Sequence, residues 1–151
     1  MTLKQRIAAG GIIFNNNEVL LVRYPDGNGG SFLAAPGGGL EDHENIIQAI
    51  IRETKEETNI IVKPKRVVII EDLTNNKIKM SKVWMICDYI EGEICETEES
   101  KKEGIIEAAW FNKNQLEKEI VYPEQLKKNE WNQLLSDKWQ VECPPSREMQ
   151  N

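Results

Sequence analysis

The stretch Pro36-Gly37-Gly38-Gly39 forbids regular helix, yet it runs within a few residues into a segment with strong helix signals. Asn45 is a good N-cap, and Gln48 stands at the spacing of a capping box. Ile47, Ile50, Ile51 and Thr54 recur at helical spacing and form the expected buried stripe. Asn59 is the expected stop, because Asn tolerates the left-handed conformation second only to Gly; Pro64 follows soon after. A fold for this chain must therefore pass from a glycine-rich, non-helical segment into one well-capped helix.

The flanks read as strands. Ile7–Phe14 and Val19–Arg23, joined by Asn15-Asn16-Asn17, predict a hairpin, and Pro25 to Gly30 predicts a loop. Phe32–Ala35, Val67–Ile70, Met80–Ile90 and Ile105–Phe111 are further strand candidates. In Met80–Ile90 the alternation puts Val83, Met85, Cys87 and Tyr89 on one face. Helix is expected again in the region carrying Leu116, Leu126, Trp131, Leu134 and Leu135. Strands interleaved with one early helix and late helices predict an α/β fold, a mixed β-sheet sandwiched between helices as α/β/α layers. Residues 1–142 read as a single domain, and 143–151, with Pro144-Pro145, as a loose C-terminal tail.

Composition limits the function. A net charge of −6 argues against binding a nucleic-acid backbone, but allows a phosphate-bearing substrate if metal ions supply local positive charge. The three cysteines have no CxxC spacing, so neither a disulfide framework nor a zinc site follows from them. No apolar run reaches membrane-spanning length, and a cytoplasmic protein without membrane partners is expected.

Glu53, Glu56 and Glu57 stand at i, i+3 and i+4, so a helix projects them from one face, next to the apolar stripe. Without a cation such a trio is mildly unfavourable; carboxylate oxygens are also what Mg²⁺ and Mn²⁺ prefer. In a chain with 25 acidic residues, the trio alone is an ordinary solvated face. The wider spacing is more specific: Gly38-x5-Glu44-x7-Arg52-Glu53-Thr54-x-Glu56-Glu57-x-Asn59-Ile60.

That pattern closely resembles the signature box of the Nudix hydrolases, the MutT-like family, GX5EX7REUXEEXGU with U a bulky aliphatic residue. Two positions depart from it: Thr54 stands at the aliphatic site and Asn59 at the late glycine. His43 occupies a site where relatives often have Gly, and reads as an exposed loop residue. The opening hairpin, the Pro-Gly-Gly approach and Glu107-Ala-Ala-Trp110-Phe111 extend the resemblance over roughly residues 5 to 135.

The resemblance implies the Nudix fold and a magnesium-dependent pyrophosphatase, with Mn²⁺ a substitute ion. Its substrate would be a small nucleotide, such as a (deoxy)nucleoside triphosphate or a nucleoside diphosphate sugar. It makes Glu53, Glu56 and Glu57 metal ligands, with the carbonyl of Gly37 as an extra one. Arg52 would orient Glu53, and Glu44 would brace the loop or hold a metal-bound water. Gly37, Gly38 and Gly39 would let backbone approach phosphate, and Arg23 is a candidate phosphate contact. The general base is a box glutamate or one of Glu98, Glu99 and Glu103 in the later acidic loop. Phe32 and Leu33 stand where an aromatic often lines the base pocket, although core packing is also open to them; Trp84 and Trp110 are assigned to the core. A homodimer is allowed. The competing readings are a non-catalytic nucleotide-sensing module, whose members commonly lose box glutamates, and an acidic protein–protein interaction domain, which leaves the spacing unexplained.

Overall fold

The structure, a computed structural model, describes residues 2–149. Strand β1 (Lys4–Asn15) turns back into β2 (Glu18–Pro25), with Phe14 opposite Val19 and Asn15 opposite Glu18. Asn16 and Asn17 both sit at positive φ, 53° and 62°, the two left-handed residues a tight hairpin turn needs. Two short strands follow, β3 (Ser31–Ala34) and β4 (Gly37–Gly39), and then helix α1 (Ile46–Thr58). Long strands β5 (Ile61–Thr74) and β6 (Ile78–Glu91) pair antiparallel, and a shift in register absorbs Pro64. The rest comprises α2 (Glu98–Lys102), β7 (Glu107–Phe111), a 3-10 turn at Lys113–Leu116, β8 (Val121–Tyr122), α3 (Gln125–Lys128), α4 (Trp131–Leu135) and β9 (Arg147–Glu148). Among the described residues, no helix is long and apolar enough to cross a membrane.

The sheet runs β8-β3-β2-β1-β6-β5-β9, with β4 pairing to β1 and β7 to β2. β1 changes partners along its length: Lys4 to Ile13 lie parallel to β6, while Phe14 and Asn15 pair with β2. That exchange curls the sheet and gives it two buried faces. Ala9 and Ile13 of β1 and Met85 and Cys87 of β6 pack with Ala49 and Ile50 of α1. The intervening Ile12, Trp84 and Ile86 pack on the other face with Leu116, Leu126 and Leu134. The face expected for Val83, Met85, Cys87 and Tyr89 is therefore the one under α1. Trp84 is fully buried, whereas Trp110 is only partly buried, edge-on to Tyr89.

Two expectations need correction. Ile47 is exposed, and the buried positions of α1 are Ala49, Ile50, Glu53, Thr54, Glu57 and Thr58. The helix thus turns its acidic face partly inward instead of holding it beside the core, because it meets side-chain-free β4. The segment expected to be a loose tail contains β9, which pairs parallel to β5 at Leu73 and Thr74.

Candidate active site

Helix α1 begins and ends where its sequence dictates. The Asn45 side chain accepts from Gln48 N at 2.8 Å and Gln48 returns the bond to Asn45 N at 2.9 Å. Asn59 closes the helix in the left-handed conformation, φ 69°. These caps fix the rotational setting of the helix, and so fix where its glutamates point.

They point at the glycine strip. Gly37 N donates to both oxygens of Glu57, at 3.2 and 3.3 Å. A Cβ on Gly38 would stand 2.7 Å from the Glu53 carboxylate, and one on Gly37 would stand 2.5 Å from Ala9 O. Both glycines are demanded by close approach, one to a carboxylate and one to the neighbouring strand.

Arg52 organises one side of the site. Its Nε and Nη2 donate to the two oxygens of Glu44 at 2.7 and 2.9 Å, a bidentate fork. Nη1 reaches Glu53 at 2.9 Å and Glu56 at 3.1 Å, and Nη2 also reaches Gly39 O at 3.2 Å. Glu44 in turn accepts from Glu41 N at 3.0 Å, which braces the loop before the helix. The guanidinium holds Glu44 below the ordinary carboxylate range. His43, exposed in this loop, has φ 68°, a left-handed conformation that glycine adopts without strain.

On the other side, no cationic side chain bonds to Glu57 among the described residues. Glu57 is fully buried, and its hydrogen-bond donors are neutral: Gly37 N and the Tyr24 hydroxyl at 3.4 Å. Burial first, then repulsion from Glu53 and Glu103, pushes the Glu57 carboxyl well above its ordinary value. Glu53 is raised by burial despite its bond to Arg52, and Glu103 by burial and then by Glu53 and Glu56. One carboxylate oxygen from each of Glu53, Glu57 and Glu103 lies within 4.8 Å of the others. Such a set of hard, mutually repelling oxygens fits a divalent cation.

Of the three acids considered in the later loop, the fold brings Glu103 to the cluster, and Glu98 stays exposed, 4.0 Å from Lys101. The loop is tied to the end of α1. Thr97 Oγ1 donates to Glu56 O, Cys95 N to Thr58 O, and Asn59 Nδ2 to Glu93 O. Arg23 lies in an ion-pair network, with bonds to Glu119 at 3.0 Å and Glu107 at 3.2 Å. Leu33 is core, whereas Phe32 lines a cavity beside the cluster with Tyr24 and Lys82. Tyr24 and Lys82 escaped the sequence reading. A lysine sharing a strand face with Met80 and Trp84 was the available signal for Lys82. Thr54, at the aliphatic site of the box, is buried with its hydroxyl unpartnered, the cost of departing from the pattern.

Comparison with known proteins places the chain in a family. The model of the NUDIX domain matches residues 4–132. An ADP-ribose pyrophosphatase of Methanocaldococcus jannaschii is 30% identical over 118 residues, 77% of this chain and 67% of that protein. An 8-oxo-dGTP diphosphatase of Proteus vulgaris is 43% identical over 60 residues, 39% of this chain and 54% of that protein. A solved NUDIX hydrolase from Nitrosomonas europaea superposes with a TM-score of 0.64 at 26% identity, covering 75% of this chain and 76% of its own. With Glu53 and Glu57 of the box clustered with Glu103 on a matching fold, this chain belongs to the NUDIX domain family and is a Nudix pyrophosphohydrolase.

Proposed function

We propose that the enzyme hydrolyses a phosphoanhydride bond in a nucleoside diphosphate derivative, a (deoxy)nucleoside triphosphate or a nucleoside diphosphate sugar, and that it does so with Mg²⁺. The observation that carries this reading is the convergence of Glu53, Glu57 and Glu103 within 4.8 Å, with no cationic side chain bonded to Glu57 among the described residues. Glu53 and Glu57 would hold the ion, with Glu56 beside them and the Gly37 carbonyl as a further oxygen. A bound divalent ion supplies charge neutralisation for the diphosphate and acidifies water at neutral pH.

The chain's own groups do the rest. Arg52 holds Glu53 in one orientation while Glu44 absorbs the remaining arginine charge. Tyr24 and Gly37 fix the Glu57 carboxylate. Glu103, with its raised proton affinity, takes the proton as water oxygen bonds to phosphorus and the anhydride oxygen departs. Backbone at Gly38 and Gly39 leaves room for phosphate. Arg23 would have to release Glu119 and Glu107 to meet one.

The test is product release from nucleoside triphosphates, nucleotide sugars, ADP-ribose and dinucleoside polyphosphates, with Mg²⁺, Mn²⁺ or chelator, and with Glu57→Gln as control. Turnover that stops with chelator and in the variant is expected. Metal-independent turnover, or a Glu57→Gln enzyme of near wild-type rate, would sink the assignment.

A further inference from the structure

Beside the acidic cluster lies a cavity of about 220 Å³ with an aromatic wall. Tyr24 and Phe32 stack with centroids 5.6 Å apart, and Phe32 meets Tyr122 edge-on at 5.8 Å. Tyr24 belongs to both sites through its hydroxyl bond to Glu57. Lys82 also lines the cavity, with Nζ 4.3 Å from the Trp84 ring centroid.

The remaining cation arrives from the C-terminal strand. Pairing of Leu73 with Arg147 and Thr74 with Glu148 seats β9 on β5, and Met149 N donates to Thr74 O at 2.9 Å. Upstream, Glu142 bridges to Ile69. The Arg147 guanidinium lies 4.3 Å over the Tyr122 ring, and its Nε donates to Glu71 at 3.2 Å. Glu142, Arg147, Glu148 and Met149 lie beyond residue 132, where the family match ends. A wall of the cavity is thus supplied by the C-terminal segment.

The polar groups here have unequal capacity. Glu71 is already engaged by Trp84 Nε1 at 2.5 Å and by Arg147. The Tyr24 proton is committed to Glu57. Lys82 Nζ makes no hydrogen bond or ion pair among the described residues, and Arg147 keeps Nη2 in reserve. Lysine and arginine can only donate. A cavity of aromatic faces and unspent donors fits a flat ring whose edge carries acceptors, as guanine and uracil bases do with their carbonyl oxygens. Adenine presents an amino donor at the corresponding edge.

We propose that residues 142–149 make the substrate pocket selective for a keto base, with Arg147 as the specificity-determining residue held in place by Tyr122, Glu71 and the β5–β9 pairing. The proposal rests on the hydrolase reading for where the phosphates lie, but its test does not. Calorimetry with guanosine, uridine and adenosine monophosphates needs no turnover. Rates with dGTP against dATP, and with GDP-linked against ADP-linked sugars, give the matching kcat/KM ratios. The wild type is expected to favour keto bases by about tenfold or more in both readouts, equivalent to about 1.4 kcal/mol. Arg147→Met, and truncation after Val141, should bring the ratio close to one; Arg147→Lys should keep part of it. Thermal melts separate loss of selectivity from loss of fold. Equal binding of the bases by the wild type, or a preference that survives in folded Arg147→Met, overturns the proposal. Keto-selective binding without any turnover would uphold the pocket and sink the hydrolase reading. Turnover indifferent to the base would do the reverse.

Discussion

Glu44 and Glu57 are both part of the box, yet their charges are handled in opposite ways. Glu44 is gripped by a bidentate arginine and titrates low; Glu57 is buried against a backbone N–H and a phenol and titrates high. Arg52 makes two bonds to Glu44 and one each to Glu53 and Glu56, and none to Glu57. One half of the box is finished by folding, and the other half is the one proposed to take a cation. On the proposed function, stability and turnover draw on different carboxylates of one motif, and substitutions should separate them.

Glu57→Gln should give the largest effect, a fall in turnover on the order of 10³-fold. The same change should stabilise the metal-free protein. Burial raises Glu57 above its ordinary 4.5, so the folded state holds that proton more tightly than the unfolded chain. Stability of the metal-free wild type must then fall as pH rises from the ordinary carboxylate value through the raised one. Near pH 7.5 with chelator, the variant should melt higher by about 2–4 °C, equivalent to roughly 1 kcal/mol. The gain should shrink as pH is lowered toward 5 and reverse when Mg²⁺ is added, since the ion stabilises the wild type. A variant that melts lower at every pH would mean the Glu57 charge is already balanced within the fold.

Arg52→Ala attacks the finished half. Glu44 and Glu53 lose their fork, and stability should drop by about 2 kcal/mol, read as a shift in denaturant midpoint. Turnover should fall roughly 10- to 100-fold through misorientation of Glu53. Arg52→Lys should recover part of the stability, because an ammonium neutralises charge but cannot make the bidentate pair. If Arg52→Ala spared stability and abolished turnover, the division between the two halves would not hold.

The contrast between those halves was only partly legible in the sequence. Local signals worked: Asn45, Gln48 and Asn59 cap α1 as their residue types require, and Asn16-Asn17 makes the hairpin turn. The box spacing singled out Glu44, Arg52, Glu53, Glu56 and Glu57, and for the last four a helix converts spacing into direction. What it could not give was depth. The helical pattern placed the acids beside the apolar stripe and Ile47 within it, but Glu53 and Glu57 lie in the buried face and Ile47 outside it. The packing partner decides this, and that partner is a strand made of glycine. Glu103 and Arg147 reach their sites through contacts with residues far away in the chain, Glu53 and Glu71 among them, which no local pattern encodes.

Asn59→Gly sharpens the comparison with the smallest effect. On residue type alone, glycine in a left-handed cap is neutral or slightly stabilising. The structure shifts that balance. Asn59 Nδ2 donates to Glu93 O at 3.0 Å, and its Oδ1 accepts from Lys55 at 2.7 Å. The first bond helps to tie the loop that carries Glu103 onto the end of α1. Glycine relieves the mild strain of φ 69° but forfeits both bonds and gains freedom in the unfolded chain. A net loss of about 0.5–1 kcal/mol is expected, smaller than for Arg52→Ala. Turnover should fall by no more than a few-fold, because Thr97 Oγ1 and Cys95 N still anchor the loop to α1. Hydrogen exchange resolves the outcome by region: faster exchange confined to residues 93–104, with 41–52 unchanged, is the expected pattern. Equal loosening of both stretches would show that the arginine side and the loop side of the box share one support.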